Sequence, residues 1–316
     1  MLLYILRRIL YVTPVALGVS VICFLLVHLS GDPLTAVMPI DATAQQQAEM
    51  RQAYGFDRPL PIQYAIWLWK IVHGDLGNSI ANGRPVLTEV GRAVSNTMIL
   101  ASVATLIGFT FGTFFGFVAG YFRDSALDKG ASALSVFGVS VPHYWLGMVL
   151  VIIFSAQLGW LPPTGAGPDG SGNWRPDAEH LRYIILPAIT MSVIPMGIIA
   201  RTVRALVADI LSQEFVQALR AKGLSEWGVF KHVVTNAAPT ALAVMGLQLG
   251  YLLGGSILIE TVFSWPGTGF LLNTAIFQRD LPLLQGTVLV LAMFFVVLNL
   301  AVDVLQTALD PRIQRS

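Results

Sequence analysis

Residues 93–122 read AVSNTMILASVATLIGFTFGTFFGFVAGYF, thirty positions without an Asp, Glu, Lys or Arg. A helix needs about 20 predominantly apolar residues to cross a hydrocarbon core of about 30 Å. This stretch has length to spare. Gly108, Gly112, Gly116 and Gly120 recur in it every four residues. Four-residue spacing places them along one helix face, where the missing side chains let another backbone approach.

The same reading extends along the chain. Charge-free stretches also run over 9–31, 130–168, 183–200, 232–259 and 281–302, which gives about six spans. A further gap, 261–278, contains Ser264-Trp265-Pro266-Gly267-Thr268-Gly269, which breaks a helix. It is expected to be a loop or a re-entrant piece held against protein. Gly246, Gly250 and Gly254 repeat the small-residue ladder in the fifth span. Each ladder is open to two readings: packing within one bundle, or packing against a second membrane subunit.

Composition agrees with this class. The chain of 316 residues is 55% hydrophobic and 12% charged, against about 25% charged for a soluble domain. A net charge of +1 excludes nucleic-acid binding by bulk charge and an acidic disordered chain. Cys23 is the single cysteine, which excludes an internal disulfide framework or thiolate zinc site. The run Ile9–Leu29 is too long for the apolar core of a signal peptide, about 7–15 residues, and no small-residue cleavage site follows it. It is expected to be a retained anchor.

Basic residues orient the spans. With the N-terminus inside, eleven fall on the cytoplasmic side: Arg7, Arg8, Arg123, Lys129, Arg201, Arg204, Arg220, Lys222, Lys231, Arg312 and Arg315. The two short outer loops hold only Arg175, Arg182 and Arg279. Both termini are therefore expected inside. The outer segment 32–95 contains Tyr54, Tyr64, Trp67 and Trp69. It is expected to form short helices on or near the outer face, where amphipathic rings are suited. The remaining organisation is a first span with the N-terminal end (1–31), a core of five spans (96–306) and a short tail (307–316).

The inner loop 201–238 lies within that core. Leu206, Ile210, Phe215, Leu219 and Lys222 follow a helical period. Gly223 stands where a helix would close in a left-handed turn. Ser225 is placed to cap a second short helix through about Asn236, and Pro239 to open the next span. Such a helix, hinge and helix suits a groove on a soluble partner. On periodicity alone, a solvated connector is the commoner outcome.

Glu214-Phe215-Val216-Gln217-Ala218-Leu219-Arg220-Ala221-Lys222-Gly223-Leu224-Ser225, followed by Lys231-His232 and Asn236-Ala237, resembles the "EAA" coupling loop of ABC-importer permeases. The likeness is greatest to the dipeptide/oligopeptide permease family. That family reads as an acidic residue, an aromatic, a few further positions, then Ala-Arg-Ala-Lys-Gly-Leu. Leu219 stands here in place of the first Ala, and the Arg-Ala-Lys-Gly core is intact. The resemblance covers nearly the whole chain. Its other motifs are Gly31-Asp32-Pro33, Gly74-Asp75-Leu76-Gly77, Pro142 with Gly147, Gly159-Trp160-Leu161-Pro162, Leu186-Pro187-Ala188, Glu260 to Gly267, and Asp310-Pro311-Arg312.

The resemblance implies an all-α type I importer permease in a bacterial inner membrane. It implies a second homologous permease subunit, two cytoplasmic ATPases and an extracytoplasmic solute-binding protein as partners, besides membrane lipid. ATP and Mg would sit on the ATPases, and no phosphate loop is present in this chain. The coupling residues carried over are Glu214, Phe215, Ala218, Arg220, Ala221, Lys222, Gly223 and Leu224. Glu214 would offer charge near the ATPase, Ala218 close approach, and Gly223 the turn. Arg220 and Lys222 would pair with acidic groups on it. The implied cargo is small peptides, with glutathione, nickel or oligosaccharides as other cargoes of the family.

Two other classes make different demands on the sequence. A secondary transporter predicts matched half-repeats or intramembrane carboxylates, and neither is visible. A membrane-embedded hydrolase needs a nucleophilic Ser with a facing His, and no such motif occurs. His143 is expected to pack rather than bind metal. His28, His73, His180 and His232 are too scattered for a cluster. Glu260 and Asp303 are each expected to reach an interface.

Overall fold

The computed structural model describes residues 2–29, 43–53, 56–170 and 172–309. Gly31-Asp32-Pro33, Tyr54 and Asp310-Pro311-Arg312 lie outside them. Helix α1 spans Leu2–Leu29, α2 Ala44–Ala53, α3 Leu60–Val72, α4 Val86–Tyr121, α5 Ala126–Ser140 and α6 His143–Leu150. Then follow α7 Ala178–Ser212, α8 Glu214–Ala221, α9 Glu226–Val262, α10 Thr268–Phe277 and α11 Leu281–Leu309. Among the described residues, β pairing is limited to one bridge between Asn78 and Pro85.

Among the described residues, four helices have a stretch long and apolar enough to cross a membrane: Val86–Tyr121, Ala178–Ser212, Glu226–Leu252 and Leu281–Leu298. Helix α1, 28 residues long, contains the apolar stretch Thr13–Leu25. The charge-free gap 130–168 is not one straight span. Helix α5 stops at Ser140, and α6 with its π-helical continuation Val151–Gln157 leaves at 102°. The cause is local. Pro142 has no N–H to continue the ladder, and it disfavours helical backbone at the residue before it. Val141 is accordingly extended, with φ −83° and ψ 130°.

Two compact units make up the chain: 1–95 with 267–297, and 96–266 with 298–316. In the first, Val86 and Val90 of α4 pack with Ala275 and Leu283. Asp280 is buried there. It accepts from the Ser79 hydroxyl, from the Ala81 N–H at 3.2 Å, and from the Leu283 N–H at 3.1 Å at the start of α11. Helix α3 is fastened to α1. The Ser20 and Tyr64 hydroxyls lie 2.7 Å apart, and the Phe24 ring meets Tyr64 and Trp67 at centroid distances of 5.5 and 5.7 Å.

The second unit is organised by α7, which is buried along much of its length. The four glycines of α4 meet it one after another. A β-carbon built on Gly108, Gly112, Gly116 or Gly120 would stand 3.1, 2.8, 2.5 or 2.7 Å from the carbonyl oxygen of Ser192, Met196, Ala200 or Arg204. Both series rise together in steps of four, so α4 and α7 run parallel. Helix α5 crosses α7 the other way: Asp128 meets Arg204, Ser135 meets Gly197, and Gly138 meets Val193. Neighbouring spans that run parallel need an odd number of crossings between them. Only the bent pair α5–α6 lies between α4 and α7, so it serves as one crossing.

At the far end of this unit, Asn96 gathers three backbone groups. Its amide donates to the Gly172 and Pro266 carbonyls at 2.8 and 2.9 Å, and its Oδ1 accepts from the Trp174 N–H at 3.3 Å. The Trp265 indole donates to the Asn96 carbonyl at 3.0 Å. Glu260 does not reach a surface: it is fully buried and accepts from Thr97 Oγ1 at 2.8 Å. A carboxylate taken out of water needs such donors.

Candidate coupling site

The segment 201–238 folds differently from its periodicity in two respects. Leu206 and Ile210 belong to the end of α7, not to α8, because Gln213 is extended at φ −73° and ψ 146° and separates the two. Pro239 does not open a span either. It lies inside α9, which continues from Glu226 to Val262. The short helix and the span after it are therefore one continuous helix.

Helix α8 closes in a Schellman turn. The Leu224 N–H donates to the Leu219 carbonyl at 3.2 Å, and the Gly223 N–H to the Arg220 carbonyl at 2.9 Å. These are the two reverse bonds of that motif. Gly223 takes φ +81°, a conformation that costs a residue with a β-carbon about 1–2 kcal/mol. Leu219 and Leu224 then pack against the same core. Ser225 caps α9, its hydroxyl accepting from the Gly228 N–H at 3.3 Å.

Val216 anchors α8. It is fully buried among Val207, Val229 and Val233. The opposite face carries Glu214, Phe215, Gln217, Ala218, Ala221 and Lys222, all exposed. Neither Glu214 nor Lys222 has a side-chain partner among the described residues. Phe215 is 36% exposed although aromatic. An anchored helix therefore presents an acid, a ring, two alanines and a lysine outward.

Arg220 is engaged within the chain. Its guanidinium forks onto Glu226 of α9 at 3.0 and 3.1 Å, bridging the turn at Gly223, and Glu226 holds the guanidinium's pKa above its ordinary value. Glu226 also accepts from the Tyr121 hydroxyl at 2.7 Å, which brings in the end of α4. Phe230 stacks on Trp227 at 4.9 Å and meets Phe117 edge-on at 4.8 Å. Trp227 is 63% exposed, with Lys231 Nζ 5.6 Å from its ring centroid. Tyr121, Val216, Glu226 and Trp227 were not singled out from the sequence.

The glycine ladders differ. Gly108, Gly112, Gly116 and Gly120 are all used against α7. Gly246 and Gly250 are half-buried, while Gly254 is exposed and its missing β-carbon would meet nothing within 4 Å. Among the described residues no three His, Cys, Asp or Glu side chains are grouped to hold a metal. His143 is in edge contact with Tyr144 at 6.4 Å.

Comparison with known proteins bears on this geometry. The profile of the family "Binding-protein-dependent transport system inner membrane component" matches residues 112–315, and the profile of the corresponding N-terminal region matches 1–104. The chain belongs to this family. It is 39% identical over 316 residues to the glutathione transport system permease protein GsiC of Salmonella choleraesuis (strain SC-B67), covering 99% of each chain. It is 38% identical over 314 residues to a protein named as a peptide transport system permease in Brucella abortus (strain 2308), covering 98% of each. The fold is also similar to a chain of the inward-facing MetNI methionine ABC transporter. The TM-score is 0.56 at 19% identity, covering 70% of this chain and 96% of that one. The chain is thus a multi-pass permease subunit of the inner membrane with the type I importer fold, and its role is transport.

Proposed function

We propose that this chain forms half of the translocation path of an ATP-driven importer for small peptides, with both termini in the cytoplasm and α8 seated on an ATPase. In this reading a second homologous permease forms the other half. Two cytoplasmic ATPases bind ATP and Mg, and a solute-binding protein delivers cargo from outside. The observation that carries the reading is α8 itself: a helix held from below by Val216, closed by Gly223, and offering Glu214, Phe215, Ala218, Ala221 and Lys222 outward.

Mechanically, closure of the ATPase dimer displaces α8. Gly223 joins α8 to α9, and Arg220 clasps them through Glu226. Leu224 completes the turn. Helix α9 moves as a rod, and α7, packed on it through Val203, Val207 and Val233, moves with it. Nucleotide and cargo then each favour a different state of the path, which is what coupling requires.

Relatives named for peptide and for glutathione transport support a peptide-like cargo. Glutathione is the second reading, favoured by the relative at 39% identity. The test is uptake of labelled di- and tripeptides and of glutathione by membranes containing the assembled transporter. Gly223→Pro and Glu214→Lys are expected to abolish most ATP-driven uptake while the chain remains inserted. Normal uptake by a stably inserted Gly223→Pro variant would refute the coupling role.

A further inference from the structure

A crevice of about 230 Å³ opens between α4, α5 and α7. Phe115, Ala119, Ala131 and Val136 form its apolar walls, and two guanidiniums, Arg201 and Arg204, line it. The two are in different situations. Arg204 is spent: its Nε and Nη2 donate to the two carboxylate oxygens of buried Asp128, each at 2.8 Å. Arg201 is exposed and has no acidic partner among the described residues.

The position of Arg201 matters. It is the first charge after the charge-free stretch 183–200 of α7, so it stands where that span leaves the hydrocarbon. In the proposed orientation this is the cytoplasmic boundary, where anionic headgroups lie. Ser132 and Ser135 also line the crevice, but their hydroxyls already donate to Asp128 and to the Ala131 carbonyl, so the mostly apolar crevice gives water few partners. It is also too small for a helix, which is about 10–12 Å across with its side chains. One hydrocarbon chain beneath a negatively charged group satisfies both the walls and the unpaired cation.

We infer that this crevice is a binding site for an anionic phospholipid, with one acyl chain against Phe115, Ala119, Ala131 and Val136 and the phosphate on Arg201. Arg204, neutralised by Asp128, shapes the floor without competing for the headgroup. The site would place a lipid against the contact of α4 with α7, the two helices joined by the glycine ladder.

The test is native mass spectrometry of the full chain released from mild detergent. Phosphatidylglycerol and phosphatidylcholine with the same acyl chains are offered in equal amount. A cation near the membrane surface attracts an anionic lipid by about fivefold, so the wild type is expected to retain phosphatidylglycerol by about that factor. Arg201→Gln should bring the two lipids to parity. Ala131→Leu should lose both; should it fail to fold, Ala205→Leu does the same from α7, where Ala205 also lines the crevice. An unchanged preference in Arg201→Gln, or full retention in the filling variants, would overturn the site. So would displacement of the lipid by inorganic phosphate alone, which would mark a bare anion site. Crosslinking of Ala131→Cys to another polypeptide in the assembled transporter would overturn it too, by showing that a protein covers the crevice. None of these readouts requires uptake, so they stand or fall separately from the peptide-importer reading.

Discussion

Gly116 illustrates how one residue fixes a helix contact. A β-carbon there would lie 2.5 Å from the Ala200 carbonyl oxygen and 2.9 Å from the Ala200 α-carbon, both backbone atoms that cannot swing aside. Gly116→Val is expected to destabilise the purified chain by about 1–3 kcal/mol, in the range of overpacked cores, seen as a lower melting temperature. Gly254→Ala, with open space around it, should leave melting unchanged or raise it slightly. A second prediction concerns Asp128 and Arg204. Asp128 is buried but Arg204 is 34% exposed by side chain, so removing Arg204 strands a carboxylate at about 1–3 kcal/mol, the cost of an unsatisfied buried group. Arg204→Met should therefore melt earlier than wild type, and Asp128→Leu combined with Arg204→Met should recover much of the loss. Equal melting of the single and double variants would show that the pair contributes nothing specific.

At the scale of the element, the α8–α9 hairpin separates stability from coupling. Arg220 and Glu226 are both well exposed, 44% and 59% by side chain, and exposed pairs add little to global stability. Arg220→Ala is expected to leave the melting temperature nearly unchanged yet speed amide exchange over 214–224, where the clasp holds the turn. Unaltered exchange there would exclude the clasp. The hairpin also shows what a sequence discloses. Gly223 and Ser225 were legible because a left-handed turn and an N-cap are local chemistry. The pairing of Arg220 with Glu226 was not, because it joins two helices across a turn and matches no helical spacing. Pro239 misled for a related reason: a proline opens a helix in isolation, but in a span the freed groups can be satisfied by neighbours and the helix continues. Likewise, an uncharged gap reports length and not direction, so 130–168 could not disclose its 102° bend.

For the whole molecule, the parallel course of α4 and α7 is the decisive feature. It was half visible in the four-residue glycine spacing, which announced a close contact without naming the partner. The partner series at Ser192, Met196, Ala200 and Arg204 has no comparable signature, because backbone carbonyls carry no sequence signal. The buried Glu260 was hidden similarly: its donor Thr97 is 163 positions away. At this scale the coupling proposal makes its own demand. The exposed face of α8 must be covered in the assembled transporter, and the cover must be an ATPase. The most direct measurement is site-specific crosslinking from Ala218→Cys in native membranes, with and without a nucleotide that closes the ATPase dimer. The coupling assignment predicts one crosslinked partner, an ABC ATPase, with a yield that changes on nucleotide binding. A residue 218 that stays freely reactive to water-soluble thiol reagents in the intact, transport-competent complex would contradict it.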